Sequence, residues 1–537
     1  MILEFIGADH EVTGSCHYVN ANGKNILVDY GMEQGRKRYE NAPLPVDASK
    51  IDMILLTHAH IDHSGLLPYA YAKGFRGRIY ATKATSKLCN IMLRDSAHIQ
   101  AFEAEWRNRK ARRNQNIGNF EPLYTMEDAD GAIRLLESVE YGETVNLAEG
   151  IDARFTDMGH LLGSSAIELI VTEGNEKRTI VFSGDVGNTG QPIIKDPELL
   201  KGADYVLVES TYGDRLHSEE KPDYVHELAK ILQRTFERGG NVVIPSFAVG
   251  RTQELLYFIR QIKEEGLVYG FEDFPVYLDS PLAVDATGIF QKSSMDCYDE
   301  DAKALLSRGI NPISFTNLNL SITPDDSKNI NIDDEPKVII SASGMCDAGR
   351  IRHHLKHNLW RKESTILFVG YQSEGTLGRA LVEGASTVKL FGEEISVNAD
   401  IEILAGLSGH ADRQGLIDWV TGSFDAGKTK RIFVVHGEDQ VTEKFAKLLN
   451  SEYGYNTYAP YSGTTFDLIK NEFIEEKKGV PVVRKTFEKV RITTVFERLL
   501  AAGERLLRVI RKNEHSANKD LAKFADQINS LSDKWDK

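Results

Sequence analysis

The chain has 537 residues, 41% apolar and 27% charged, with a formal charge of −15. That length exceeds what one hydrophobic core supports and points to two domains with additions, while the acid excess argues against a protein that coats nucleic acid by bulk attraction. No stretch reaches the roughly 18–20 uninterrupted apolar residues of a membrane helix, and the four cysteines, Cys16, Cys89, Cys297 and Cys346, lie too far apart for a Cys-x-x-Cys pair, so neither a disulfide framework nor a cysteine zinc knuckle is expected.

In chain order, the first ten residues lack the basic and apolar regions of a signal peptide and read as a first strand, which makes a cytoplasmic protein the expectation. Short apolar runs follow, punctuated by Gly, Asp and Asn: Ile26–Val28, Met53–Leu56, Ile180–Phe182 and Tyr205–Val208. They read as buried strands, each ending on a polar residue. Between Arg94 and Leu136 the pattern turns helical and charged, and Trp106–Arg113 is its most basic piece. From about Gly213 to about Asn398 helices and strands alternate: helical Tyr224–Arg238, strand Asn241–Pro245, strand Lys337–Ser341, helical Arg350–Leu359 and strand Thr365–Val369. That rhythm predicts a parallel sheet of βαβ type, a second α/β domain inserted in the first. Beyond about Tyr461 the chain becomes basic and then helical. Phe496–Arg511 and Lys519–Trp535 carry apolar residues at helical spacing and are open to three uses: packing on the body, pairing in a homodimer, or binding a partner.

The run Thr57-His58-Ala59-His60-Ile61-Asp62-His63 directly follows the strand Met53–Leu56. Imidazole nitrogen and carboxylate oxygen suit Zn²⁺, and four donors this close cannot all serve one tetrahedral ion. Two adjacent sites sharing ligands from elsewhere are the natural solution. Further donors stand at other strand ends: Asp29, His160 in Asp157-Met158-Gly159-His160, Asp185 in Ser183-Gly184-Asp185, and His436 in Val435-His436-Gly437. Each alone reads equally as a cap or turn residue; together they form a set.

These residues resemble the β-CASP branch of the metallo-β-lactamase superfamily, over roughly residues 1–462. The resemblance implies an α/β fold, a metallo-β-lactamase αββα sandwich in two parts (1–212 and 399–462) around a β-CASP domain (213–398), with a helical extension at 463–537. It implies that His58, His60 and His160 hold one zinc ion, that Asp62, His63 and His436 hold the other, and that Asp185 bridges the two. Asp29 would orient a ligand from behind. Glu209, in Val208-Glu209-Ser210, and His410, in Gly409-His410-Ala411, match the family's acidic and histidine motifs, and we expect them to act as a proton-donating pair.

The implied substrate is RNA, cut as a phosphodiester with two zinc ions activating water. Members of the family that act on RNA carry His at the position of His436. Two segments of the insert resemble phosphate-gripping turns: Ser246 and Arg251 in Ser246–Arg251, and Ser343 and Gly344 in Ser341–Met345. Read without the family, each is an ordinary βα turn. The basic run Trp106–Arg113 reads either as a solvated helix face or as an edge that contacts RNA. The rival functions are a small-molecule metallohydrolase, a DNA-directed nuclease of the same family, and a scaffold that binds without cutting.

Overall fold

A computed structural model describes the whole chain except residues 36, 114–119, 218–221, 294, 374, 405, 483–494, 514–517 and 536–537. Two sheets stack to form the main body. One has eight strands, with Ile2–Gly7, Cys16–Ala21, Lys24–Val28, Met53–Leu55, Arg78–Thr82 and Leu136–Val139 neighbouring in that order. The other has seven, built on Ile151–Asp157, Ser165–Glu173, Glu176–Phe182, Tyr205–Val208 and Arg431–Val434. Alternation decides which side chains meet between them: Leu3, Phe5, Ile26, Val28, Leu55, Phe155, Leu169, Phe182, Leu207 and Phe433 form the shared core. Helices cover both outer faces, Lys83–Arg113 against the first sheet and Arg413–Ser423 and Asp439–Ser451 against the second. The result is the expected αββα sandwich.

The inserted region carries its own parallel six-stranded sheet, with Val242–Pro245 central between Val338–Ser341 and Thr365–Phe368. Its edge strand Asp400–Ile403 pairs with Thr365–Phe368, so this sheet extends past residue 398. A second difference lies at the other end. Residues 463–481 are not helical: Thr465–Asp467 pairs antiparallel with the first strand, Ile2↔Asp467 to Glu4↔Thr465, and Glu472–Glu475 follows as a hairpin. Burial explains this, since Phe466 and Leu468 are fully enclosed in the inter-sheet core. The compact body runs over Met1–Pro481, and Val482–Lys537 is a separate unit. In that unit the helices Val495–Lys512 and Asn518–Trp535 form as predicted, with Leu499, Leu500, Leu507 and Leu531 exposed. Among the described residues, no helix is long and apolar enough to cross a membrane.

Candidate metal centre

Strand register brings the candidate donors together. Val28 lies beside Leu55 in a parallel pair, so Asp29 and the turn His58–His63 leave the first sheet at one height. In the second sheet Phe182 pairs with Leu207 and Val208 with Val434, which aligns Asp185, Glu209 and His436. His160 comes from the loop between Ile151–Asp157 and Ser165–Glu173, and the bridge between Gly187 and His410 delivers the last histidine. Backbone approach is close here. A Cβ on Gly31 would lie 1.6 Å from the carbonyl oxygen of Asp62. Asp29 and His436 take φ of 59° and 49°, a left-handed conformation that side-chain-bearing residues rarely adopt and that persists where direction matters.

The donors fall into two groups that meet at Asp185. His60 Nδ1 lies 3.1 Å from His58 Nε2 and 3.2 Å from His160 Nε2, and Asp185 Oδ2 is 3.4 Å from both His58 and His160. His63 Nε2 lies 3.2 Å from His436 Nε2 and 3.3 Å from Asp185 Oδ1, with Asp62 Oδ2 3.7 Å from His436. A tetrahedral ion with bonds of about 2.0–2.1 Å has donor–donor edges of about 3.3 Å. The spacing fits a small cation better than it fits hydrogen bonding among imidazoles. A further sign is Asp185 Oδ1, which is buried with no hydrogen-bond partner among the described residues, a costly arrangement unless something positive completes it.

Electrostatics differ between the two groups: burial would lower His63 and His436, but Asp185 with Asp29 raises the first and Asp185 with Asp62 the second. Burial pushes the His60 imidazole down to about 3, and burial also lowers His58 and His160, leaving the neutral rings that donate a lone pair. Burial works against the Asp62 and Asp185 carboxylates, but the surrounding imidazoles outweigh it and hold both ionised. Three of the rings are held from behind as follows. His63 Nδ1 lies 2.7 Å from Asp29 Oδ2, which itself accepts from the Thr57 hydroxyl at 2.8 Å. His160 Nδ1 is 2.9 Å from the Gly409 carbonyl oxygen, and His436 Nδ1 is 3.2 Å from Thr211 Oγ1.

Beside this cluster Glu209, fully buried, receives a hydrogen bond from the Val186 amide at 2.6 Å. Its carboxylate lies 3.1 and 3.2 Å from His410 Nδ1. Burial alone would lower the His410 pKa, yet Glu209 and then Asp185 outweigh it and push the ring up to about 9.

Comparison with known proteins agrees with this geometry. Residues 18–206 match the metallo-beta-lactamase superfamily domain, 252–381 the Beta-Casp domain, and 394–460 the Zn-dependent metallo-hydrolase RNA specificity domain. Ribonuclease TTHA0252 of Thermus thermophilus is 37% identical over 446 residues, covering 82% of this chain and 94% of the relative. Transcription termination factor FttA of Methanocaldococcus jannaschii is 29% identical, over 85% of this chain and 70% of that protein, and its counterpart from Methanococcus maripaludis is 30% identical over 81% and 66%. The chain belongs to the β-CASP family.

In this β-CASP protein the structure gathers every metal-ligand candidate, with Asp29, Glu209 and His410 beside them. The phosphate-gripping candidates fare differently. Ser246 is buried; its hydroxyl donates to the Phe247 carbonyl oxygen at 3.3 Å and accepts from Thr252 at 3.1 Å, so it is turned inward and not free for a phosphate. Arg251 is paired with the buried Glu254 one helical turn away, which neutralises its charge. Ser343 and Gly344 do lie past the end of Val338–Ser341, Gly344 against the ring of Phe247. Phe247 is a residue that the sequence alone does not single out. It is half exposed, next to Gly344 and Gly370. The turn that carries it packs through Ala248 and Val249 into the core shared with Leu161, the neighbour of His160. Its signal is an aromatic residue at the carboxyl end of a parallel strand, where ligands bind in such sheets. Thr57 and Thr211 also escape a reading of the sequence, because no spacing rule marks a hydroxyl that steadies an imidazole.

Proposed function

We propose that this protein is a metal-dependent ribonuclease that hydrolyses RNA phosphodiester bonds at a centre of two zinc ions. The observation that carries the reading is the arrangement of two donor groups sharing Asp185, with the Glu209–His410 pair alongside. His58, His60 and His160 would hold one ion and Asp62, His63 and His436 the other, with Asp185 common to both. When bound, zinc supplies a water acidic enough to attack at neutral pH and positive charge for the phosphoryl oxygens. The chain's own residues do the rest. Asp29, Thr211 and the Gly409 carbonyl keep the imidazoles aimed. His410, its Nδ1 occupied by Glu209, retains a proton that Nε2 can give to the departing ribose oxygen. Ser343 and Gly344, with the flat ring of Phe247, line the approach from the insert. RNA is favoured over a small substrate by the insert and by the match of residues 394–460 to an RNA specificity domain.

The division at 1–212, about 213–403 and the remainder to 481 follows the sheets, and a cytoplasmic location suits four buried cysteines. The exposed Leu499, Leu500 and Leu507 favour a homodimer through the C-terminal helices, which a mass measured in solution would test. The test of function is incubation of the zinc-loaded enzyme with linear RNA labelled at either end, circular RNA and DNA of the same sequence. Cutting of RNA that is abolished by chelation is the expected result. Equal cutting of DNA would remove the RNA preference, and cleavage of the circle would show endonuclease action.

A further inference from the structure

The long helix Lys83–Arg113 starts beside the metal centre and ends far from it. At its start the hydroxyls of Thr82 and Thr85 donate to the Gly163 carbonyl oxygen at 2.6 and 2.8 Å, three residues past His160. At about 1.5 Å per residue, Trp106 lies roughly 35 Å along the helix from Lys83. There the helix turns an unpaired face outward. Phe102, Trp106 and, from the returning chain, Phe120 are 59%, 51% and 44% exposed. Asn108 fixes Phe120 in place through its amide and carbonyl, at 2.7 and 2.8 Å.

Exposed large aromatic rings cost solvation and call for an occupant. The cations around them indicate which. Lys110 Nζ stands 4.9 Å over the Trp106 ring and the Arg107 guanidinium 6.0 Å over Phe120. Arg107, Arg109 and Lys110 are concentrated here in a chain of net charge −15. Glu103 and Glu105 approach Arg107 and Arg109 only at 3.5 and 3.8 Å, in exposed pairs that are weak and easily exchanged for a phosphate. Phe102, Trp106 and Lys110, four residues apart in turn, share one solvent face, with Arg107 and Phe120 to its flank. Flat rings beside cations are what a single strand of nucleic acid needs, stacking for bases and charge for the backbone.

Resting on the ribonuclease reading, we infer that Phe102, Trp106 and Phe120, with Arg107 and Lys110, form a second RNA-binding site that holds single-stranded RNA about 35 Å along the helix from the end beside the centre that cuts it. A stacked strand rises about 3.4 Å per nucleotide, so an RNA needs roughly ten nucleotides to occupy both. The site would therefore act on long RNA and be invisible to short RNA.

The experiment compares unstructured RNAs of about six and about thirty nucleotides, using the zinc-loaded enzyme and a Phe102→Ala/Trp106→Ala variant. Cleavage is followed for both lengths, and binding of a phosphorothioate-linked thirty-nucleotide RNA is followed by fluorescence anisotropy. The expected result is a rise of about tenfold in KM and Kd for the long RNA, with kcat unchanged and the short RNA cut as by the parent. Trp106→Tyr should keep the long-RNA affinity. Replacing Arg107 and Lys110 by Gln should flatten the salt dependence of binding by about one unit of slope for each phosphate that is no longer neutralised. Equal losses on both lengths, or unchanged affinity for the long RNA, would overturn the site. So would a change in the protein's own mass in solution without a change in RNA affinity, which would make the face a protein interface. If the parent cuts neither RNA, the ribonuclease reading fails, and the binding measurement still decides this one.

Discussion

Two buried clusters of His and Asp in this protein look alike in composition and differ in every other respect. One is the centre around Asp185. The other lies in the insert, where Asp279, at the end of Val276–Leu278, meets His354 at 2.6 Å, the Ser327 hydroxyl at 2.6 Å and Arg350 at 2.7 Å. His354 also reaches Asn331 at 3.0 Å. Every charge in the insert's cluster has a partner within the chain, and the group ties two helices to a strand end. Around Asp185, by contrast, imidazole nitrogens face one another and a carboxylate oxygen has no hydrogen-bond partner among the described residues. A buried polar cluster that satisfies itself is architecture; one that does not is a receptacle.

Substitutions should separate the two. Asp185→Ala should lower RNA cleavage by about 10³-fold or more, since it removes the ligand common to both ions and several kcal/mol of charge stabilisation, and metal content by elemental analysis should fall with it. Next in size, His410→Ala should cost about 10²–10⁴ in kcat while the metal stays bound; full activity in that variant would sink the proton-donor role. Asp279→Ala should do the reverse of Asp185→Ala, destabilising the fold by about 3–5 kcal/mol by leaving buried His354 without its carboxylate, with metal content unchanged when measured at low temperature. The smallest effect is in pH. Burial opposes ionisation of Asp279, but His354, Ser327 and Arg350 outweigh it and hold the carboxylate below its ordinary value. Its stabilisation is thus present above the unfolded value of about 3.9 and lost as pH falls through the folded one. The Tm gap between the parent and Asp279→Asn should narrow as pH drops below about 4, and a gap that widens would contradict this.

The metal centre is largely legible in the sequence because its donors are set by strand ends, and short apolar runs ending in Asp or His can be seen without a structure. Three histidines and an aspartate in one turn make the first half plain, and Asp185, His160 and His436 follow from the same rule. What is illegible is where a side chain turns. Ser246 and Arg251 have the right chemistry for a phosphate, yet the Ser246 hydroxyl, in a buried turn, finds Thr252, and Arg251 finds Glu254 one helical turn away. Local partners outcompete distant ligands, and sequence does not show them. The hairpin at 465–475 is hidden for a different reason. Its pairing with Ile2–Glu4 joins residues more than 450 apart, and no local periodicity records a partner at that distance.

Glu209 and His410 touch across a sequence separation of 201, nearly all of it the insert. The order of synthesis thereby becomes part of the chemistry. A chain elongated only as far as Glu209 already holds six of the seven proposed metal ligands, but neither the proton donor nor His436. Both arrive only after the insert has been made, and His410 meets Glu209 only when the insert's two ends are brought together. Until then the centre lacks one of its proposed ligands and its proposed proton donor.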